Sequence, residues 1–253
     1  MTYQLLFLFA AGFFGGVLNA IAGGGSFITF PALLFVGVAP ISANATNTFA
    51  SCAGYMSGAY ALRKELLAYR AQLPRLIIVS LVGGSTGALL LLLTPESVFR
   101  QAIPWLLLFA TLLFIFGGRI NRALKQYASG HPHASLLGGL LLLLLLLGIS
   151  VYGGFFNAGL GIIILSYLAL EGFGDINAMN GLKLLISSVV SLIAIALFIV
   201  NGAIAWYEGI VVMFGTLVGG YVAAHLSRQL PQTYVRTFVI LGGSGMSLYF
   251  FLN

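Results

Sequence analysis

The chain has 253 residues, of which 60% are hydrophobic and only 6% are charged. A soluble protein carries about 25% charged residues and could not solvate its surface with so few, so lipid must be the solvent for most of this one. The formal charge of +6 does not point to nucleic acid, because the cations sit in short stretches between apolar runs, where the positive-inside rule accounts for them. Alternating ten-residue segments of a membrane β-barrel are absent, and the Leu140 to Leu147 run reads as the lipid-facing side of a helix. The single cysteine, Cys52, lies in an apolar stretch and has no internal disulfide partner.

Apolar segments fall near residues 4–37, 42–62, 74–94, 98–118, 135–171, 177–200, 204–227 and 233–252. The first follows no basic leader region and is predicted to be a retained span, not a cleaved signal. As one helix it would run to about 50 Å, too long for a single crossing, and Gly23-Gly24-Gly25 must break it. Around that break Asn19, Gly23, Gly24, Gly25 and Ser26 form a polar, glycine-rich turn between two apolar half-helices. Irregular backbone at membrane depth is tolerated where it lines a cavity. Ser26 is expected to cap the second half-helix, whose N-H groups and dipole would suit an anion. A ligand-free hinge also fits these residues.

The second segment opens with Asn44, Thr46, Asn47, Thr48 and Ser51. Asn44 and Asn47 share a helical face, and amides bind an oxyanion without burying a countercharge. Helix capping and interhelical glue are the other roles open to them. In the third segment Gly83 and Gly87 have the spacing of a close helix crossing. After the fourth comes the most polar stretch, Arg119 to His133, which divides the chain into a first repeat (1–118), a cytoplasmic linker (119–134) and a second repeat (135–253). His131 and His133 are two ligands where zinc needs three or four, so no metal is expected, and no cofactor.

The fifth segment is broken again, around Gly153-Gly154 and Gly159-Leu160-Gly161, with Asn157 at the position matching Asn19. The sixth carries Asn177 and Asn180, and on the same face as Asn180 it carries Lys183, the one cation inside an apolar segment. Such a lysine faces a cavity or counterion, unless it snorkels to the interface. Glu208 and His225, near the ends of the seventh segment, are candidates for proton coupling, although both also suit an interface. Gly215 and Gly219 repeat the crossing glycines.

Four correspondences recur in order at offsets of roughly 132 to 138 residues, the mark of an internal duplication. Gly15-Gly16 with Asn19-Ala20 matches Gly153-Gly154 with Asn157-Ala158. Asn44 and Asn47 match Asn177 and Asn180, Gly83 and Gly87 match Gly215 and Gly219, and Pro95 with Arg100 matches Pro231 with Arg236. If the first segment of each half re-enters as a hairpin, the basic connections (Arg63 to Arg75, Arg119 to His133, Arg228 with Arg236) all lie on the cytoplasmic side, and the repeats are inverted. The fold class is therefore an all-α, polytopic membrane protein with two four-segment repeats and broken first helices.

Enzyme signatures are missing: there is no HExxH, no GxSxG and no pair of intramembrane aspartates. None of the five acidic residues lies mid-segment, which disfavours a cation carrier. A transporter of a small anionic solute is the reading, with an anion channel, a permease for an unrelated solute and a membrane assembly protein as the other classes. Through GGxxNAIAGGGS followed by P, NATNTFAS, NAGLG and NAMNGLK, the sequence resembles the sulfite exporter TauE/SafE family, the TSUP permeases. That resemblance implies an inner-membrane permease for sulfite, sulfoacetate or other sulfonates, often an exporter, that uses the proton gradient. The expected partners are the lipid bilayer, the anionic substrate and protons, with an oligomer possible. It implies substrate-binding roles at Asn19, Gly23 to Ser26, Asn44 to Thr48, Asn177, Asn180 and Lys183.

Overall fold

A computed structural model describes residues 2–22, 24–130, 136–226 and 232–252. Its helices are α1 (Thr2–Ala22), α2 (Ser26–Phe35), α3 (Pro40–Ala61), α4 (Arg63–Leu67), α5 (Leu73–Leu93), α6 (Glu96–Gly130), α7 (Leu136–Phe155), α8 (Leu160–Leu170), α9 (Ile176–Val200), α10 (Trp206–Leu226) and α11 (Gln232–Leu252). Among the described residues, four helices are long and apolar enough to cross a membrane, within α5, α6, α7 and α9, and shorter apolar stretches lie in α1, α2, α8 and α10. Helix α3 is as long as these but polar, and its segment from Ala43 to Thr48 is buried throughout. Its first half is a core segment enclosed by neighbours, whereas Met56 and Tyr60 in its second half are exposed.

Both long first segments are broken, but the second breaks only between α7 and α8: Gly153-Gly154, where a break was also expected, lie within the continuous helix α7, and Gly154 packs against α5 instead. Helices α1 and α2 lie antiparallel, with Phe7 against Phe35 at 5.5 Å between ring centroids. The hairpin closes tightly because a Cβ on Gly25 would strike the carbonyl of Gly15. In the second half, Gly159 takes a left-handed φ of 77° between α7 and α8, a conformation that costs glycine little. The two short helices end in the same way. Val38 N-H bonds Leu33 C=O and Gly37 N-H bonds Leu34 C=O, while Phe173 N-H bonds Leu168 C=O and Gly172 N-H bonds Ala169 C=O. Each is a Schellman turn on a positive-φ glycine.

Helix directions follow from side-by-side contacts. Phe9 and Phe13 of α1 lie on Gly215 and Gly219 of α10, so these helices are parallel. Gly83 and Gly87 of α5 lie on Leu147, Ser150 and Val151 of α7, again in parallel. Both GxxxG pairs thus serve close helix crossings. Thr46 and Ala50 of α3 meet Gly209 and Thr216 of α10, also in parallel. Helix α9 starts beside the end of α3, with Gly181 against Leu62 and Leu66 of the α3–α4 junction, and Leu184 against Gly58. The α1–α2 hairpin therefore enters from one end of the molecule. The α7–α8 hairpin enters from the other, where Arg75 at the start of α5 pairs with Glu171 at the end of α8. This second end also holds Arg63, Lys64 and Arg70, and is called the basic end below.

Three further expectations change. Ser26 does not cap α2: it is the first helical residue, the cap position belongs to Gly25, and no side chain caps the helix. The stretch from Arg119 to Gly130, read as linker, continues α6 as helix, consistent with its helix-favouring Arg, Ala, Leu, Lys and Gln and its lack of proline. Of the Leu140 to Leu147 run, Leu142 and Leu146 turn inward into a core with Leu160 and Tyr167, while Leu140, Leu141, Leu144 and Leu145 face outward. Four residues is one helical turn, so a leucine run necessarily puts some members on the inner face.

A Cβ at Gly87 or Gly219 would overlap backbone of the facing helix, whereas one at Gly139 or Gly148 meets nothing within 4 Å. Gly87→Ala and Gly219→Ala are expected to lose about 1 to 3 kcal/mol each. Gly148→Ala is expected to be neutral or mildly stabilising. Thermal unfolding of the purified protein in detergent checks the contrast, and equal behaviour of all three variants would contradict the crossings described here.

Candidate functional site

Helix α3 holds both hairpin breaks. On its first turns Asn44 and Asn47 are three apart and therefore share a face. Asn47 Nδ2 donates to Ser26 Oγ at 3.1 Å, and the Thr29 hydroxyl donates back to Asn47 Oδ1. This amide ties α3 to the start of α2. Asn44 Nδ2 donates to the carbonyl of Phe155 at 2.8 Å, the last residue of α7. The first turns of α3 thus bind one break through Asn47 and the other through Asn44.

The second break is tied down further along. Tyr55 of α3 donates its hydroxyl to Asn157 Oδ1 at 3.0 Å, and Asn157 Nδ2 donates to Ser191 Oγ of α9 at 3.0 Å. Tyr152 donates to the Ala158 carbonyl at 2.6 Å. The breaks also touch through aromatic rings, Phe30 of α2 standing edge-on to Phe156 at 5.5 Å. Helices α2 and α8 both begin at this junction, so their positive dipole ends face the middle of the molecule. One polar atom is left over: Asn44 Oδ1 is buried and accepts no hydrogen bond.

The remaining candidates are distributed as follows. Gly24 and Gly25 are buried in the first break, and Gly23 lies outside the described residues. Asn19 is half-buried in the last turns of α1, with its Cβ beside Gly25 and its amide facing Gly54 of α3. Thr46 points to α10, accepting from the Ala205 N-H at 3.0 Å, and the Thr48 hydroxyl bonds back to the Asn44 carbonyl. Lys183 stands apart, about 12 Å along α9 from Ser191 toward the basic end. There it donates to Asn180 Oδ1 at 3.1 Å, and its stem packs on Gly161 of α8. Asn177 is exposed at the start of α9, where Asp175 caps its N-H at 2.9 Å. Glu208 sits half-buried in the first turn of α10. The side chain of His225 lies outside the described residues, as do His131 and His133, and no metal-binding cluster exists among the residues described.

Sequence reasoning missed Thr29, Tyr55 and Ser191. Signals existed for two of them. Thr29 lies one turn after Ser26, and Ser187, Ser188 and Ser191 form a polar stripe in an otherwise apolar helix. Tyr55 gives no such signal, since it sits among alternating small and aromatic residues.

Broken helices packed on a polar core helix and surrounded by apolar ones define a multi-pass helical membrane protein. The model of the sulfite exporter TauE/SafE family matches residues 8–250, and the chain belongs to that family. It is 30% identical over 245 residues to "Probable membrane transporter protein YfcA" of Escherichia coli, covering 95% of this chain and 87% of the relative. It is 32% identical over 239 residues to "Probable membrane transporter protein" of Haemophilus influenzae, covering 94% and 90%. A third relative, "Probable membrane transporter protein ORF9" of a Sinorhizobium species, is 30% identical over 243 residues, covering 94% and 89%. No solved structure matches the chain. The protein is a membrane transporter and not an enzyme.

Removing the Asn47 amide leaves Ser26 and Thr29 without their interhelical partner in a buried setting. Asn47→Ala is expected to cost about 1 to 3 kcal/mol of stability. Proteolysis at Gly24 and Gly25 should accelerate alongside the lowered unfolding temperature. A variant as stable and as protected as wild type would remove Asn47 from its role as the tie between α2 and α3.

Proposed function

We propose that the protein is a secondary transporter that exports small sulfur-containing anions, such as sulfite, sulfoacetate and other sulfonates, across the cell inner membrane using the proton gradient. The observation carrying this reading is that the start of α2 and the break that precedes α8 are both tied to α3, through the neutral amides Asn47 and Asn44 and through Tyr55, with no carboxylate among the side chains that bond at the junction. Helix N-termini favour anions, and amides bind them without trapping them. The family's description supplies the sulfur chemistry. Lys183, the cation nearest in sequence to the amide frame, offers a second station toward the basic end. Glu208 and His225 on α10 are the candidate proton carriers.

The halves 1–118 and 135–253 are read as inverted repeats joined through 119–134. Matching Schellman turns at Gly37 and Gly172 support this, and so does the reciprocal packing of α1 on α10 and α7 on α5. The basic end is the cytoplasmic face on the positive-inside rule.

Flux of sulfite and sulfoacetate into liposomes, with and without an imposed pH gradient, tests the proposal. Saturable flux stimulated by the gradient is expected, with Lys183→Ala reducing it roughly tenfold, in line with the loss of a charged hydrogen-bond donor. Undiminished flux in that variant would confine the site to the junction. Absence of flux for every sulfur oxyanion, in folded protein, would refute the substrate class.

A further inference from the structure

Three buried or nearly buried amides meet at the hairpin junction, and their hydrogen bonds can be followed atom by atom. The NH2 groups of Asn44, Asn47 and Asn157 donate to the Phe155 carbonyl, Ser26 and Ser191. The carbonyl oxygens of Asn47 and Asn157 accept from Thr29 and Tyr55. Only Asn44 Oδ1 has no partner, although Asn44 is 1% exposed. Flipping this amide does not resolve the deficit, because its other end must donate to the Phe155 carbonyl. Neighbouring lipid offers no donor, and a buried acceptor left bare is unfavourable.

We propose that Asn44 determines specificity by accepting a hydrogen bond from an O-H carried on the transported anion. The inference rests on the reading of the junction as the anion site. An oxygen acceptor at that position repels the unprotonated oxygens of a sulfonate and attracts a hydroxyl. The helix N-termini of α2 and α8 take the anionic group, and Asn44 takes the donor. The favoured ligands are therefore hydroxylated alkanesulfonates or singly protonated oxyanions, over equally charged anions without a donor. Binding sites that offer a buried partner to a ligand hydroxyl discriminate strongly against the analogue lacking it, since the partner is then left unpaired.

The test uses full-length protein in liposomes and compares initial rates for ethanesulfonate and 2-hydroxyethanesulfonate, which differ by one hydroxyl, with sulfite as a third substrate. Wild type is expected to carry the hydroxylated anion about tenfold faster or more at subsaturating concentration. In Asn44→Ala the ratio should fall toward one, and Asn44→Ser, which keeps a shorter acceptor, should give an intermediate ratio. Thermal unfolding in detergent identifies any variant that fails to fold, in which case the wild-type ratio alone decides. Equal wild-type rates for the two sulfonates overturn the inference and leave sulfonate transport standing. A preference that persists unchanged in folded Asn44→Ala also overturns it. Sulfite flux with neither sulfonate carried removes the inference but not the transporter reading, and no flux of any of the three removes both.

Discussion

A backbone broken inside a membrane cannot leave its N-H and C=O groups to lipid, and the rest of this structure depends on how that demand is met. Helix α3 meets it. Its Asn47 takes the start of α2, its Asn44 takes the end of α7, and its Tyr55 takes Asn157 in the second break. A polar helix of this kind would be unstable facing hydrocarbon, so it needs neighbours on every side. The burial of Ala43 to Thr48 follows directly from the chemistry those residues supply. The breaks and the polar core helix are thus one device, since neither is tolerable without the other.

The glycine crossings explain how that enclosure is built. Phe13 backbone sits where a Cβ of Gly219 would be, and Val151 backbone where a Cβ of Gly87 would be. Lipid gives no hydrophobic drive for helices to associate, so close backbone packing of small residues must hold them together. Each crossing joins a hairpin from one half to a helix of the other. Neither half encloses its own broken helix, which argues that the two fold and function as a single unit.

Much of this was legible in the sequence because the membrane enforces its own grammar. Segment ends near residues 40, 61, 93, 176, 200 and 252 could be read within a few positions, since a helix must span a fixed thickness and basic residues mark its ends. The breaks at Gly24-Gly25 and Gly159 were legible because glycine repels helix and the segments were too long, whereas Gly153-Gly154 turned out to serve packing inside α7. What escaped were features set by three-dimensional pairing. Whether Ser26 caps a helix or accepts from Asn47 depends on how closely α3 passes, and no spacing in the chain encodes that distance. The start of α4 and the extension of α6 to Gly130 escaped for a different reason. Both lie in charged, soluble-type helix, where hydropathy gives no boundary.

The placement of charge bears on how an anion would move. The amide frame is repeated in sequence at Asn44 with Asn47 and at Asn177 with Asn180, yet the two copies do different things. Asn44 and Asn47 are buried ties between hairpins, whereas Asn180 serves Lys183 and Asn177 is exposed at a helix start. Lys183 has no counterpart beside Asn44 and Asn47, and it lies to one side of the junction along α9. A full positive charge among the amides would bind an anion too tightly to release it, while neutral dipoles at the centre permit both entry and exit. Separating the lysine from the junction along α9 is therefore consistent with the proposed anion carrier, which must let its ligand go.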